Sequence, residues 1–275
     1  MRRACRVLSA ACCSSVRGGW RWRRTVHFAA LSDLSGFTAP FMAILTLHET
    51  TFQADAVLFD LDGTLVDTLG DFGAALNRML AEMGLPAISA ADVATRVGKG
   101  SEYLVDSTLK QALALAGRAL TATELIALNV QANALYQRHY GAVNGQFVRV
   151  YPGVHQALSA LAAASVPMVC VTNKPTLHAQ DLLRKLSLLT FFTQVFGGDA
   201  FAEKKPHPMP LLRSCAALGT LPARTLMVGD SANDAQAARA AGCPVALVTY
   251  GYNHGHPVRE VDADAWTDSL VHLRL

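Results

Sequence analysis

The sequence predicts an α/β protein, a doubly wound parallel sheet with an inserted helical unit, and three observations lead there. Five short apolar runs recur at residues 56–59, 168–171, 194–196, 225–228 and 245–248. Helix-like segments at 155–164, 176–186, 209–218 and 232–241 separate the later runs, as parallel strands with crossover helices require. The interval from Asp67 to Tyr151 holds helical patterns and no convincing strand.

The chain starts with a stretch unlike the rest. Residues 1–41 carry seven arginines (Arg2, Arg3, Arg6, Arg17, Arg21, Arg23 and Arg24) against the single acid Asp33, so this leader holds +6 while the whole chain holds +3. By difference residues 42–275 hold −3, a mildly acidic balance that gives no footprint for nucleic acid. Three readings fit the leader: an Arg-rich transit peptide, a secretory or lipoprotein signal around Cys12, or upstream sequence translated from a start codon set too early. The third is favoured, because Met42-Ala43 opens a compact lead-in to the first strand while the leader lacks any periodic apolar pattern. No apolar stretch reaches the ~20 helical residues that cross a bilayer, so no membrane segment is expected. Cys170, Cys215 and Cys243 stand singly, without a C-x-x-C pair, as buried thiols of a reducing cytosol do; a cytoplasmic location is expected.

The first run, 56–59, leads directly into Asp60-Leu61-Asp62-Gly63-Thr64-Leu65-Val66-Asp67. Asp62-Gly63 could be a plain hairpin turn with Asp60 as its polar flank. Two carboxylates two residues apart at the end of a parallel strand also suit metal and phosphate chemistry, because ligands of such sheets bind in the crevice at the carboxyl ends of the strands. After the acids come helical patterns at 71–83, 90–97, 102–115 and 123–139, broken by Gly84-Leu85-Pro86 and Gly98-Lys99-Gly100. They read as an inserted helical bundle with edges near 73 and 149, leaving 42–72 and 150–275 as the core. An insertion at that point would sit above the crevice, where it could exclude water and select the substrate.

The other strand ends decide between turn and site, since each carries polar groups. Residue 171 leads to Thr172-Asn173-Lys174-Pro175, Lys204-Lys205 stands before Pro206, and residue 228 leads to Gly229-Asp230-Ser231-Ala232-Asn233-Asp234. In a parallel sheet these groups meet at one edge.

In the four motifs DLDGTLVD, VTN, KKP and GDSAND, in that order, the chain resembles the haloacid dehalogenase superfamily of aspartate-nucleophile phosphatases over about residues 54–272. The resemblance implies a Rossmann-like core and a C1-type helical cap. VTNKP, KKPHPMPLL and YGYNHG are most similar to bacterial phosphoglycolate phosphatases. On this resemblance Asp60 is the nucleophile, whose attack on phosphorus would split one hard hydrolysis into two displacements. Asp62 is the proton carrier. Mg²⁺ is the implied cofactor, on oxygen ligands from Asp60, the backbone carbonyl of Asp62 and Asp230, with Asp234 in the outer shell. Gly63, Thr172 and Asn173 would face the phosphate, with Lys205 as the point charge against it; Lys205 is preferred to Lys204 because the family lysine directly precedes proline.

Gly98-Lys99-Gly100-Ser101 is half of a Walker A loop without its earlier glycine, so no nucleotide triphosphate site is expected. As a loop dipping toward the crevice, it offers Lys99 or Arg96 to a substrate carboxylate. His254-Gly255-His256 reads as a loop, not a metal pair. The expected substrate is a small phosphorylated organic acid, 2-phosphoglycolate first, for a monomer or homodimer. A capped sugar-phosphate phosphatase or phosphosugar mutase shares the core motifs. A phosphoacceptor signalling domain is the alternative of another class, against which stand Asp62 and the large insertion.

Overall fold

The computed structural model describes residues 43–275, and the readings of the leader fall outside them. The chain runs β1 (Ala43–Leu47), β2 (Thr50–Ala54), β3 (Ala56–Phe59) and β4 (Val66–Asp67), then α1 (Leu69–Glu82), α2 (Ala90–Ala94), α3 (Ser101–Leu115) and α4 (Ala122–Val143), then β5 (Arg149–Val150). It continues through α5 (Val154–Ala163), β6 (Met168–Val171), α6 (Thr176–Lys185), β7 (Gln194–Phe196), α7 (Met209–Leu218), β8 (Thr225–Gly229), α8 (Ala232–Ala241) and β9 (Val245–Val248) to β10 (Ala265–Thr267) and β11 (Leu273–Arg274).

Six strands form one sheet in the order β10-β9-β8-β3-β6-β7, with every neighbouring pair parallel. Alternate strand residues face opposite layers. Val57, Phe59, Met168, Cys170, Leu226 and Val228 pack with Leu158 and Leu161 of α5 and Leu182 of α6. Leu58, Val169, Val171, Met227 and Leu247 pack with Leu211 of α7 and Ala235 and Ala238 of α8. Covering both faces explains why β3, β6, β8 and β9 read as unbroken apolar runs. The sheet winds outward from β3 in both directions, so the carboxyl ends of β3, β6 and β8 surround the switch point where such folds bind ligands.

The five apolar runs are all strands of this sheet, and three further features differ from the sequence expectation. β1, β2 and β11 make a small antiparallel sheet. The burial of β1 alternates as an antiparallel strand with one wet face should, but its five residues merge with the lead-in. β10 is a three-residue edge strand, and β5 is a two-residue strand inside the interval that reads as strand-free. Strands this short have no period to detect.

Helices α1 to α4 lie between β4 and β5, which pair antiparallel through Val66 with Val150 and Asp67 with Arg149. The chain thus leaves and re-enters the sheet layer along one ribbon. The helices have their own core, including Leu76, Met79 and Leu80 of α1, Leu109 of α3 and Tyr136 and Tyr140 of α4. Asp71, fully buried in the first turn of α1, accepts hydrogen bonds from the backbone N–H groups of Gly145 and of Phe147, the latter at 2.7 Å. That carboxylate ties the start of the helical unit to its end. Among the described residues no helix is long and apolar enough to cross a membrane.

Candidate active site

Asp60 directly follows β3, and its N–H donates to Val228 O at 2.9 Å, fixing the loop against the neighbouring strand. The chain then turns through Gly63 at φ +87°, where a Cβ would lie 2.3 Å from Asp230 Oδ2. Only glycine allows both the conformation and the approach. Asp230 follows β8, and its Oδ2 accepts from Tyr252 N–H at 2.7 Å. The Tyr252 hydroxyl donates to Asp67 Oδ1 at 2.9 Å and accepts from Thr68 N–H at 2.8 Å, so the loop after β9 braces both strand ends.

Lys205 arrives from the loop before α7. Its ammonium, nearly closed to water, donates to Asp60 Oδ1 at 2.7 Å, Asp234 Oδ1 at 2.7 Å and Val171 O at 2.6 Å. Lys204 instead pairs with Glu102 at 2.9 Å on the surface. Asp234 Oδ2 accepts from Ser231 N–H at 3.2 Å, closing the capping box at the start of α8, and from Ser231 Oγ at 2.8 Å.

Carboxylate oxygens of Asp60, Asp230 and Asp234 lie within 4.8 Å of one another, all buried. Burial pushes the Asp60 carboxyl up to about 7; Lys205 opposes that shift and Asp234 adds to it. Burial, then Asp234, push Asp230 well above the carboxylate range. Lys205 is raised despite its burial, because Asp234 and Asp60 hold its proton. When ionised, three carboxylates against one ammonium leave two negative charges uncompensated in a dry site. The donor set is oxygen only, so the cluster fits a hard divalent cation.

The Asp62 side chain turns to other partners. Its Oδ1 accepts from Thr68 Oγ1 at 2.8 Å and from Lys174 Nζ at 2.7 Å. Neither partner has a role in the sequence reading, although Lys174 stands in the quoted motif after β6. The signal that could have found it is the one that found Thr172: a polar residue just past a central strand.

Asp60, Asp62, Thr172, Asn173, Lys205 and Asp234 line one cavity with about 560 Å³ of empty space, its solvent-facing mouth included. Asp230 and Gly63 are not part of that lining. Thr172 is buried, its Oγ1 accepting from Lys174 N–H at 3.2 Å. The Asn173 amide donates to Gly98 O at 2.9 Å and to Lys205 O at 2.8 Å, and Asn233 donates to Gly98 O at 3.1 Å. Asn173, expected to face phosphate, therefore spends its side-chain donors in fastening two loops.

The 97–101 loop does reach the cavity, through Val97, Gly98, Gly100 and Ser101. Its cations point elsewhere: Lys99 Nζ lies 5.0 Å from the Tyr103 ring centroid, and Arg96 donates to Gln111 Oε1 at 2.6 Å. The cation in the cavity wall besides Lys205 is Lys174, not Lys99.

Residues 57–248 match the family model described as haloacid dehalogenase-like hydrolase. The chain is 42% identical over 220 residues to the phosphoglycolate phosphatase of Thiobacillus denitrificans, covering 80% of this chain and 94% of that protein. It is 43% identical over 215 residues to the phosphoglycolate phosphatase of Nitrosospira multiformis, covering 78% and 92%. The crystal structure of a predicted phosphoglycolate phosphatase from Haemophilus somnus superimposes with a TM-score of 0.74 at 36% identity, over 78% of this chain and 94% of that one.

Proposed function

The chain belongs to the haloacid dehalogenase-like hydrolase family, and on that premise we propose that it hydrolyses 2-phosphoglycolate to glycolate and phosphate through an aspartyl phosphate on Asp60, with Mg²⁺ as cofactor. The observation that carries the reading is the division of labour between the two acids. Asp60 faces Lys205 and the carboxylate cluster, whereas Asp62, two residues on, faces Lys174 and Thr68, and both open on one cavity.

In the first step an Asp60 carboxylate oxygen attacks phosphorus, an acyl phosphate bond forms, and the bond to the substrate's ester oxygen breaks. Asp62 gives its proton to that leaving oxygen. In the second step Asp62 takes a proton from water as the water oxygen attacks phosphorus and the bond to Asp60 breaks, restoring the carboxylate. Lys205 holds Asp60 in line and offsets the charge that gathers near the transferring group. Asp60, Asp230 and the Asp62 backbone carbonyl would hold the divalent ion, with Asp234 positioned behind them by Ser231 and Lys205. Such an ion supplies charge neutralisation between an anionic nucleophile and an anionic phosphoryl group. The helical segment from α1 to α4 acts as a cap that narrows the cavity to small esters.

The test is phosphate release by purified protein with Mg²⁺ from a panel holding 2-phosphoglycolate, sugar phosphates and simple alkyl phosphates. 2-Phosphoglycolate should have the highest kcat/KM, and Asp60→Asn should lower turnover by at least about 10⁴. A sugar phosphate leading the panel would shift the reading to the sugar-phosphate branch. No release from any ester would overturn it.

A further inference from the structure

The two lysines of the cavity are not equally satisfied. Lys205 has an oxygen acceptor for each of its three N–H donors. Lys174, whose side chain is 2% exposed, has one among the described residues, Asp62 Oδ1. Its ammonium otherwise faces rings, with the Phe72 centroid at 4.4 Å and the Tyr140 centroid at 5.0 Å. A buried ammonium with donors to spare has room for another anion. Tyr140 brings a second such group. It lines the same cavity, it is 2% exposed, and its hydroxyl has no hydrogen-bond partner among the described residues. Burial also keeps that hydroxyl protonated, hence a donor. Stacking on Phe72 and Tyr136, at centroid distances of 5.4 and 5.6 Å, fixes its ring.

We propose that Lys174 and Tyr140 form a subsite for the carboxylate of the substrate, an assignment that rests on the phosphorylated-acid reading above. The chemistry of such an acid sets where its second anion must lie. In 2-phosphoglycolate one CH₂ separates the leaving oxygen from the carboxyl carbon. The group that reads the carboxylate must therefore adjoin the group that protonates the leaving oxygen. Lys174 meets that condition through its hydrogen bond to Asp62. A neutral alkyl or sugar hydroxyl in the same place would leave the ammonium with Asp62 as its one anionic partner and its remaining donors unmet, so the subsite selects acids over alcohols of the same size.

The test compares kcat/KM for 2-phosphoglycolate with that for ethyl phosphate, which has the same chain length and no carboxylate, in the wild type and in Lys174→Met, Lys174→Arg and Tyr140→Phe. The wild type should favour 2-phosphoglycolate by at least about a hundredfold. Lys174→Met should cut that ratio at least tenfold, Lys174→Arg should keep part of it, and Tyr140→Phe should cut it about threefold. A residue that only positioned Asp62 would slow both esters alike and leave the ratio alone. A wild-type ratio near one would sink the acid-substrate reading itself, before any variant is made. A wild-type preference retained in full by Tyr140→Phe, or by Lys174→Met where it still turns over, would overturn the subsite. Should Lys174→Met be inactive on both esters, Tyr140→Phe decides.

Discussion

Lys205 directs its three donors to Asp60, Asp234 and the carbonyl of Val171 in a region nearly closed to water. Replacing it with methionine keeps the volume and strands buried carboxylates without their counter-ion. The loss of one partner from a buried charge pair destabilises by about 3–5 kcal/mol. Lys205→Met should therefore show an unfolding free energy lower by about that amount in metal-free denaturant titration. Phosphate release should fall by at least about a hundredfold, and a fall in stability under 1 kcal/mol would show the ion pairs to be worth no more than surface ones. The acids and Lys205 were legible in the sequence because each stands in a short motif at the end of an apolar run. Lys174 stands at a strand end as they do, but its role was not legible, since it depends on a contact with a residue 112 positions away, made only because β6 pairs with β3. Lys99 drew attention by its glycine neighbours, but a loop that reaches a cavity does not fix which way its side chains turn.

At the scale of elements, the fully buried strands of the sheet are readable as apolar runs, and the helices between them as amphipathic segments. The short edges are not, because two or three residues carry no pattern until a partner strand supplies hydrogen bonds. The joint between the helical unit and the sheet depends on one side chain that no pattern marks. Asp71 accepts from two backbone N–H groups beyond α4, with no exposure to solvent. Asparagine there turns an NH₂ group toward one of those donors, leaving a buried N–H unpaired. Asp71→Asn should lower the unfolding free energy by about 2–4 kcal/mol, read as a shift in urea midpoint. Because α1 starts two residues after Asp67, the same variant should raise the KM for 2-phosphoglycolate; a shift in midpoint with unchanged KM would separate the joint from the substrate cavity.

For the whole molecule, the buried carboxylate cluster links stability to pH and to cations. Burial, partly opposed by Lys205 and reinforced by Asp234, pushes Asp60 up from 3.8 to about 7. Asp230 is raised too, first by burial and then by Asp234. A carboxyl raised on folding holds its proton more tightly in the native state, so its stabilising share is complete below the unfolded value of 3.8 and is lost as pH rises through about 7. The metal-free protein should accordingly give up part of its stability between pH 5 and pH 8. A divalent cation acts in the opposite direction, because it pairs with the ionised cluster and competes with protons for it. At about a hundred times its dissociation constant such an ion adds about 2.7 kcal/mol, or about 5–10 °C in Tm for a chain of this size. The Tm gap between Mg²⁺-saturated and chelator-treated protein should thus be several degrees at pH 8 and small at pH 5. Asp230→Asn removes one acid from the cluster and should narrow the gap at pH 8. A gap of the same size at both pH values would mean that the ion binds somewhere other than these raised carboxyls.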